Sequence, residues 1–467
     1  MGLPFGSRFV KGNVQEIFGD RFFFGALAKL WLPIALQQLI FSLLGLISMM
    51  LIGQLGETAV AAVGLAGQIG FLFQLLLFGV GSGSAIFIAQ FWGKRDVRNI
   101  RRVLGISLVI GLCGAAFFSL VALVFPEFAL AIYSTDRAVI ALGGEYLRLV
   151  GWSYVPIAIT TSYAVTLRSV GNVRLPVALS VFSLGLGLAI NYVLIFGLFG
   201  LPALGVLGAA VGAVFARWLE CGLLLAFTYA SQSVAAASPR EMVLFDKPFL
   251  LAVLKTVLPV TLNEIVWSVG VSAYNLIYGR ISTEAVAAVS IAGTIENLAF
   301  VPFVALANSA AVMIGNRVGA GESPVAFVYA KRFWRIVVTL GALIGVGILA
   351  SADSILGLYK IDAATHLFAR HILTMVAGVM WIKASNMMLV VGVLRAGGDA
   401  RVTALIDVGP LWVIGLPLAA IGAFGFGLPV YWVYLLTMSD EALKCALAGW
   451  RMLSQKWIVN LAARHSA

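Results

Sequence analysis

Long apolar runs alternate with short polar breaks along nearly the whole chain. They fall at roughly 30–52, 59–92, 103–125, 139–166, 176–197, 206–229, 256–278, 285–314, 336–357, 366–392, 402–421 and 428–450. A helix needs about 20 residues, at about 1.5 Å each, to cross the hydrocarbon of a bilayer. The pattern therefore predicts an all-α integral membrane protein of twelve transmembrane helices. The second and eighth runs are longer than a span requires and should tilt or protrude.

The pattern also repeats. Leu32-Pro33-Ile34-Ala35-Leu36 returns as Leu258-Pro259-Val260-Thr261-Leu262, 226 residues later. At the same offset Gly53 meets Gly279, Ala59-Val60-Ala61-Ala62-Val63 meets Ala285-Val286-Ala287-Ala288-Val289, and Gly93 meets Gly319. Further on, Leu167-Arg168-Ser169-Val170-Gly171 matches Leu394-Arg395-Ala396-Gly397-Gly398 at an offset of 227. Each half then holds six spans. Six is even, so the halves are parallel repeats about an axis along the membrane normal, an arrangement typical of transporters. The expected division is residues 1–237, an amphipathic lead-in and first six-helix lobe, and 238–467, a second lobe with a short tail. The stretch from Ser231 to Lys255 reads as the linker.

Composition sharpens this. Residues are 61% hydrophobic and 11% charged, where a soluble domain carries about 25% charged residues. The net charge of +11 does not imply nucleic acid, because lysine and arginine sit in short loops on one side of the spans. That bias places both termini in the cytoplasm. Gly81-Ser82-Gly83-Ser84 lies inside a span and reads as a close helix contact. No Walker loop, His-Glu-x-x-His pair or Gly-x-Ser-x-Gly elbow occurs, so neither an enzyme nor a nucleotide-driven pump is expected, and no metal or cofactor.

Charges within spans carry the chemistry, because each is costly in lipid. Glu264 lies in the seventh span, Glu296 in the eighth, Lys383 in the tenth and Asp407 in the eleventh. The sixth and twelfth spans each hold an opposite pair three residues apart, Arg217 with Glu220 and Glu441 with Lys444, either neutralised on one helix face or forming a gate. The repeat sets Gln38 against Glu264 and Pro156 against Lys383, so that ionisable couple is confined to the second half. Glu264 beside Lys383 reads either as a site for a coupling proton or sodium ion or as a fixed buried pair. Asp407 reads as an ion ligand or as an interfacial carboxylate touching Arg401. Gln38, Trp267, Tyr274, Asn275 and Asn386 are candidates to line a substrate cavity. Prolines should cap the first and seventh spans (Pro33, Pro259), kink the fourth (Pro156) and break up spans of the second half (Pro302, Pro410, Pro417).

With its proline-marked first helices, Ile52-Gly53-Gln54-Leu55-Gly56, the Gly81 to Gly93 run and Leu394-Arg395-Ala396-Gly397-Gly398-Asp399, the chain resembles the multidrug and toxic compound extrusion (MATE) family over nearly its whole length. The resemblance implies two V-shaped lobes and export of organic, often cationic, compounds against an inflow of protons or sodium. It also implies that Glu264 is the seventh-helix glutamate of many bacterial members. Where many members carry a first-helix aspartate this chain has Ile47-Ser48-Met49-Met50, and near the usual tenth-helix aspartate it offers Ser385 and Asn386 with Lys383 nearby. The coupling chemistry expected is thus a variant centred on Glu264 and Lys383. The expected setting is a monomer in a bacterial inner membrane, with a small organic substrate and the lipid bilayer as partners. A lipid-linked precursor flippase of the related superfamily, which tends to carry several basic residues in its cavity, stays open as an alternative. So does a dedicated metabolite exporter. A receptor or scaffold would not need the repeat.

Overall fold

The computed structural model describes residues 21–243, 245–359 and 361–464. Most of the amphipathic lead-in, with Arg8, Lys11, Glu16 and Asp20, lies outside the described residues, as does Lys360. Among the described residues every regular element is helical. The twelve long helices run Arg21–Gly53, Glu57–Gly93, Val97–Val124, 137–169, Arg174–Phe196, Val206–Ala230, Lys247–Ile281, Thr283–Gly319, Ser323–Leu356, Ala363–Arg395, Ala400–Gly425 and Val430–Leu453. Ten of them are long and apolar enough to cross a membrane by length and composition. The fourth is broken by a tight turn at Gly151–Ser153, and the twelfth carries Asp440, Glu441 and Lys444. Helix starts follow local chemistry. Side chains of Asp96, Asp136, Asp246, Ser282 and Asp362 accept backbone N–H bonds from residues two or three positions on, satisfying donors that a first turn leaves unpaired.

The prolines depart from expectation in instructive ways. Pro33 and Pro259 do not open their helices; each lies about three turns inside, at one equivalent point of the two halves. Pro302 sits within an uninterrupted helix, and its carbonyl accepts the indole N–H of Trp31 from the other lobe at 3.1 Å. Pro156 follows directly on the break at Gly151–Ser153. Proline leaves the carbonyl four residues earlier without its usual donor, and here that carbonyl, on Trp152, takes the indole N–H of Trp218. Pro410 passes into a π-helical turn at Leu411–Gly415, and a longer π-helical run ends the tenth helix at Met388–Arg395. Such widened turns recur at functional sites because they re-aim side chains and loosen the backbone ladder.

The two lobes meet along a seam at the end of the bundle that bears the basic loops. Gly79 and Gly83 of the second helix lie so close to the seventh that a Cβ would fall 2.5 Å from the Cα of Thr261 and 2.8 Å from that of Val257. The small-residue run thus makes a close contact, and it makes it across the lobes. Nearer the basic end, the second and eighth helices cross at Gly93 and Gly319, where a Cβ would meet the carbonyls of Asn316 at 2.1 Å and Gln90 at 1.9 Å. In the other halves of these helices, Gly64, Gly67 and Gly293 face open space. The seam therefore closes one end only.

Two further segments cross it. The start of the first helix sinks Phe23, Leu27, Leu30 and Ile34 into the core of the second lobe, with Phe23 edge-on to Tyr329 and Phe333. The tail after the twelfth helix returns as a strap. Trp457, fully buried, covers Gly397, while Val459 bonds Gly397 backbone to backbone at 2.7 Å. Leu461 N–H donates to Gln90 Oε1 at 2.7 Å, and Lys94 donates to the Ala462 carbonyl. The linker between halves is held separately. The Ser238 backbone N–H and the Arg101 guanidinium both bond Glu241 and hold its carboxyl below the usual carboxylate range.

Candidate functional site

Two polar constellations lie inside the bundle, one in each lobe. The first lobe encloses a cavity of about 440 Å³, a size suited to a small organic molecule. Its wall is drawn from the first, second, fourth, fifth and sixth helices, and from the eighth and tenth helices of the other lobe. Gln37, Gln38 and Gln74 supply amides, Thr160 and Thr161 hydroxyls, Phe41 and Phe78 aromatic faces, and Asn308 a polar group from across the seam. Its charged residues are Arg168, Arg217, Glu220 and Arg395. Arg217 pairs with Glu220 at 3.0 Å, and the Ser180 hydroxyl also donates to Glu220.

The second constellation is a chain of buried charges through the second lobe. Arg395 is 2% exposed. Its Nη1 donates to Glu264 Oε1 at 2.7 Å and its Nη2 to Asp407 Oδ2 at 3.2 Å. Asp407 also accepts from Asn263 at 2.8 Å and pairs with Lys444 at 3.4 Å. Lys444 reaches Glu441 at 3.5 Å, and Glu441 accepts from the Asn386 amide at 2.5 Å. A neighbouring cluster pairs Lys383 with Glu296, which also accepts from the Tyr434 hydroxyl at 3.1 Å.

Several expectations need correcting here. Lys383 does not pair with Glu264; its partner is Glu296, a residue given no role from the sequence. The true partner of Glu264 is Arg395, which its neighbours in sequence had assigned to a loop. Asp407 is buried against Arg395 and Lys444, with no contact to Arg401. Of the expected cavity residues only Gln38 lines the space. Trp267 packs against the second lobe's core, Tyr274 is buried over Gly415, Asn275 is exposed and Asn386 is bound to Glu441.

The Lys383–Glu296 pair joins the tenth helix to the eighth, and a clamping role has a measurable consequence. Breaking such a pair from one side strands a buried charge, at a cost of about 3–5 kcal/mol, whereas replacing both partners by apolar groups is near neutral. Lys383→Met should therefore lower the thermal unfolding midpoint sharply in detergent, and adding Glu296→Leu should restore most of it. A single variant that melts like the parent would exclude the clamp.

The repeat aligns the two constellations residue by residue. At the offsets of 226 and 227 already seen in the sequence, Asn263 and Glu264 correspond to Gln37 and Gln38, Arg395 to Arg168, Asp407 to Ser180, and Lys444 to Arg217. All five first-lobe members line the cavity. The matched positions thus carry carboxylates in the second lobe and neutral polar residues in the first. The signal was present in the repeat, but finding it required asking what stands opposite every charge, and not only Glu264.

The MatE family model matches twice, over residues 33–193 and 259–421, once in each half. The chain is 30% identical to the probable multidrug resistance protein NorM of Rhizobium meliloti (strain 1021), covering 86% of this chain and 87% of that one. It is 25% identical to the probable multidrug resistance protein YoeA of Bacillus subtilis (strain 168), covering 83% and 84%. Among solved structures, a variant of the Vibrio cholerae MATE transporter VcmN shares the fold with a TM-score of 0.85 at 22% identity, covering 94% of this chain and 98% of that one.

Proposed function

From the premise that the chain belongs to the MatE family, we propose that it is a secondary antiporter of a bacterial inner membrane, exporting small organic compounds from the cytoplasm against an inflow of protons or sodium. NorM and YoeA carry multidrug resistance in their names, and export of drug-like compounds is the activity that membership suggests. The basic loops and both termini face the cytoplasm in this reading, following the charge bias. One chain supplies both lobes and the whole cavity, so a monomer suffices.

The observation that carries the coupling is the placement of Arg395. It forms part of the cavity wall while both its guanidinium arms are held by Glu264 and Asp407. A proton or sodium ion arriving at those carboxylates competes with Arg395 for the same oxygens. The guanidinium is then released toward the cavity, and the balance of charge across the seam changes. A ligand shifts a conformational equilibrium only by its differential affinity for the two states. Here the two states differ in who holds the carboxylates. The cytoplasmic seam is closed, so this is the arrangement in which a substrate leaves and the incoming ion loads.

The test is transport in proteoliposomes of the purified chain under an imposed gradient of one ion at a time. Efflux of a fluorescent drug-like dye should follow either the proton or the sodium gradient and collapse when that gradient is dissipated. Dye movement that ignores both gradients would remove the antiporter reading. The flippase alternative is weighed by the cavity's charges: Arg168, Arg217 and Arg395 line it, and Lys383 does not.

A further inference from the structure

The first-lobe cavity has an unbalanced charge. Arg217 is matched by Glu220, and Arg395 by Glu264 and Asp407. Arg168 has no carboxylate within salt-bridge distance among the described residues, and Glu220, whose charge reaches it, is bonded to Arg217 and Ser180 instead. The Arg168 Nε donates to the Ala164 carbonyl of its own helix at 3.2 Å, which leaves both terminal nitrogens uncommitted on the cavity wall. The repeat marks the contrast. Arg395, its counterpart, is held by Glu264 and Asp407, and the residues standing in those places beside Arg168 are Gln38 and Ser180. The first lobe has the guanidinium without the carboxylates. Glu220 is the only carboxylate on the cavity wall among the described residues, and it is already engaged by Arg217 and Ser180.

We infer that the cavity's cargo carries an oxyanion, a carboxylate, sulfonate or phosphate group, bound by the free fork of Arg168, on a body small enough for the space and contacted by Phe41 and Phe78. A guanidinium stays charged and offers paired, parallel donors that match the two oxygens of such a group. Gln38, Thr161 and Ser169 supply further neutral polar groups on the same wall. An organic cation meets the reverse: a fixed like charge, and no free carboxylate to neutralise it. Specificity here comes from repulsion as much as attraction. The preferred substrates are thus acidic or zwitterionic compounds, which narrows the export reading above and rests on it only in taking this cavity to be the cargo site.

Two dyes with one skeleton test this. Fluorescein is a dianion at pH 7.4 and rhodamine 123 a cation of nearly the same size. Binding to the full chain in nanodiscs, read by fluorescence anisotropy, should favour fluorescein by about tenfold or more, the size of effect a single charge-assisted contact supports. Arg168→Gln should erase that preference by weakening fluorescein and sparing or improving rhodamine 123, and Arg168→Lys should restore part of it. Arg168 bonds no other side chain among the described residues, so its replacement should leave the lobe folded, which retained or improved rhodamine 123 binding reports. Tighter binding of rhodamine 123 by the native chain, or a fluorescein affinity indifferent to Arg168→Gln, overturns the inference. Arg168-dependent fluorescein binding without export under either ion gradient would uphold the anion site and sink the antiporter reading.

Discussion

Glu264→Gln should sharply slow gradient-driven export while leaving the protein folded and able to bind its cargo. The reason lies in how differently the two carboxylates around Arg395 are occupied. Asp407 accepts from Arg395 and Asn263 and pairs with Lys444, so both of its oxygens are engaged. Glu264 has one bond among the described residues, from Arg395 to Oε1. In the proposed cycle an incoming proton or sodium ion therefore loads at Glu264, and Asp407 is the anchor that keeps Arg395 and Lys444 in place. Glutamine keeps the shape and one accepting oxygen, so the Arg395 contact survives in neutral form. What it loses is the charge for which ion and guanidinium compete, and with it the differential affinity that drives the cycle. The initial rate of efflux should fall by about tenfold or more, equivalent to about 1.4 kcal/mol of lost coupling, with dye affinity unchanged. Asp407→Asn should behave otherwise, lowering yield and thermal stability, because two buried cations would then share Glu264 and Glu441 alone. Full export by Glu264→Gln, or equal destabilisation by both variants, would refute this division of labour.

The backbone plan was largely legible from the order of residues, and the ion pairs were not. Spans of twenty or more apolar residues announce themselves because lipid tolerates nothing else, and the offset between Pro33 and Pro259 exposed the duplication without any structure. The helices that start well outside the apolar runs, such as Lys247–Ile281 and Ser323–Leu356, were underestimated because helical propensity continues beyond the hydrocarbon boundary. Pairing failed for a different reason. Lys383 was given to Glu264 because both lie in the second half near mid-span, yet depth in the membrane says nothing about which face of a helix a residue occupies. Arg395 shows the same limit. It precedes Ala396-Gly397-Gly398, which reads as a loop, but the π-helical run at Met388–Arg395 carries it inward and turns its side chain onto Glu264. A widened turn of that kind depends on tertiary packing, here the close passage of Gly392 along Ala307 of the eighth helix. No local pattern predicts it.

The duplication also clarifies why one lobe would load ions and the other cargo. Both lobes inherit the same pair of basic positions, Arg168 with Arg217 and Arg395 with Lys444. In the second they are locked in a network of carboxylates. In the first, only Arg217 is answered, by Glu220 from its own helix. The asymmetry lies in side chains on matched scaffolds, so a rocking motion common to both lobes can serve two different ligands. In the proposed cycle coupling then passes through Arg395, which belongs to the carboxylate network and to the cavity wall at once.

Gly319→Val should shift the protein away from the conformation described here. A Cβ at that position falls 1.9 Å from the Gln90 carbonyl oxygen and 2.5 Å from the Gln90 Cα. Both are backbone atoms of the second helix, so no rotamer change relieves the clash and the helix crossing has to part. Gln90 also holds the tail strap, through Leu461 N–H and the Ala396 and Val459 carbonyls, so displacing it loosens the second layer of the closure too. Overpacking of this kind costs about 1–3 kcal/mol, and only the state with the crossing formed bears it. A state opened toward the basic end is relieved of the strain, so the equilibrium should move by about 5- to 150-fold. Spin labels at Met50 and Leu276, exposed on the first and seventh helices near the opposite end, should report a shorter separation as that end closes. Gly67→Val is the matched control, since its Cβ would meet nothing within 4 Å, and it should leave the distances as they are. If Gly319→Val also leaves them unchanged, the glycine crossing is a packing contact and the gate lies elsewhere along the seam.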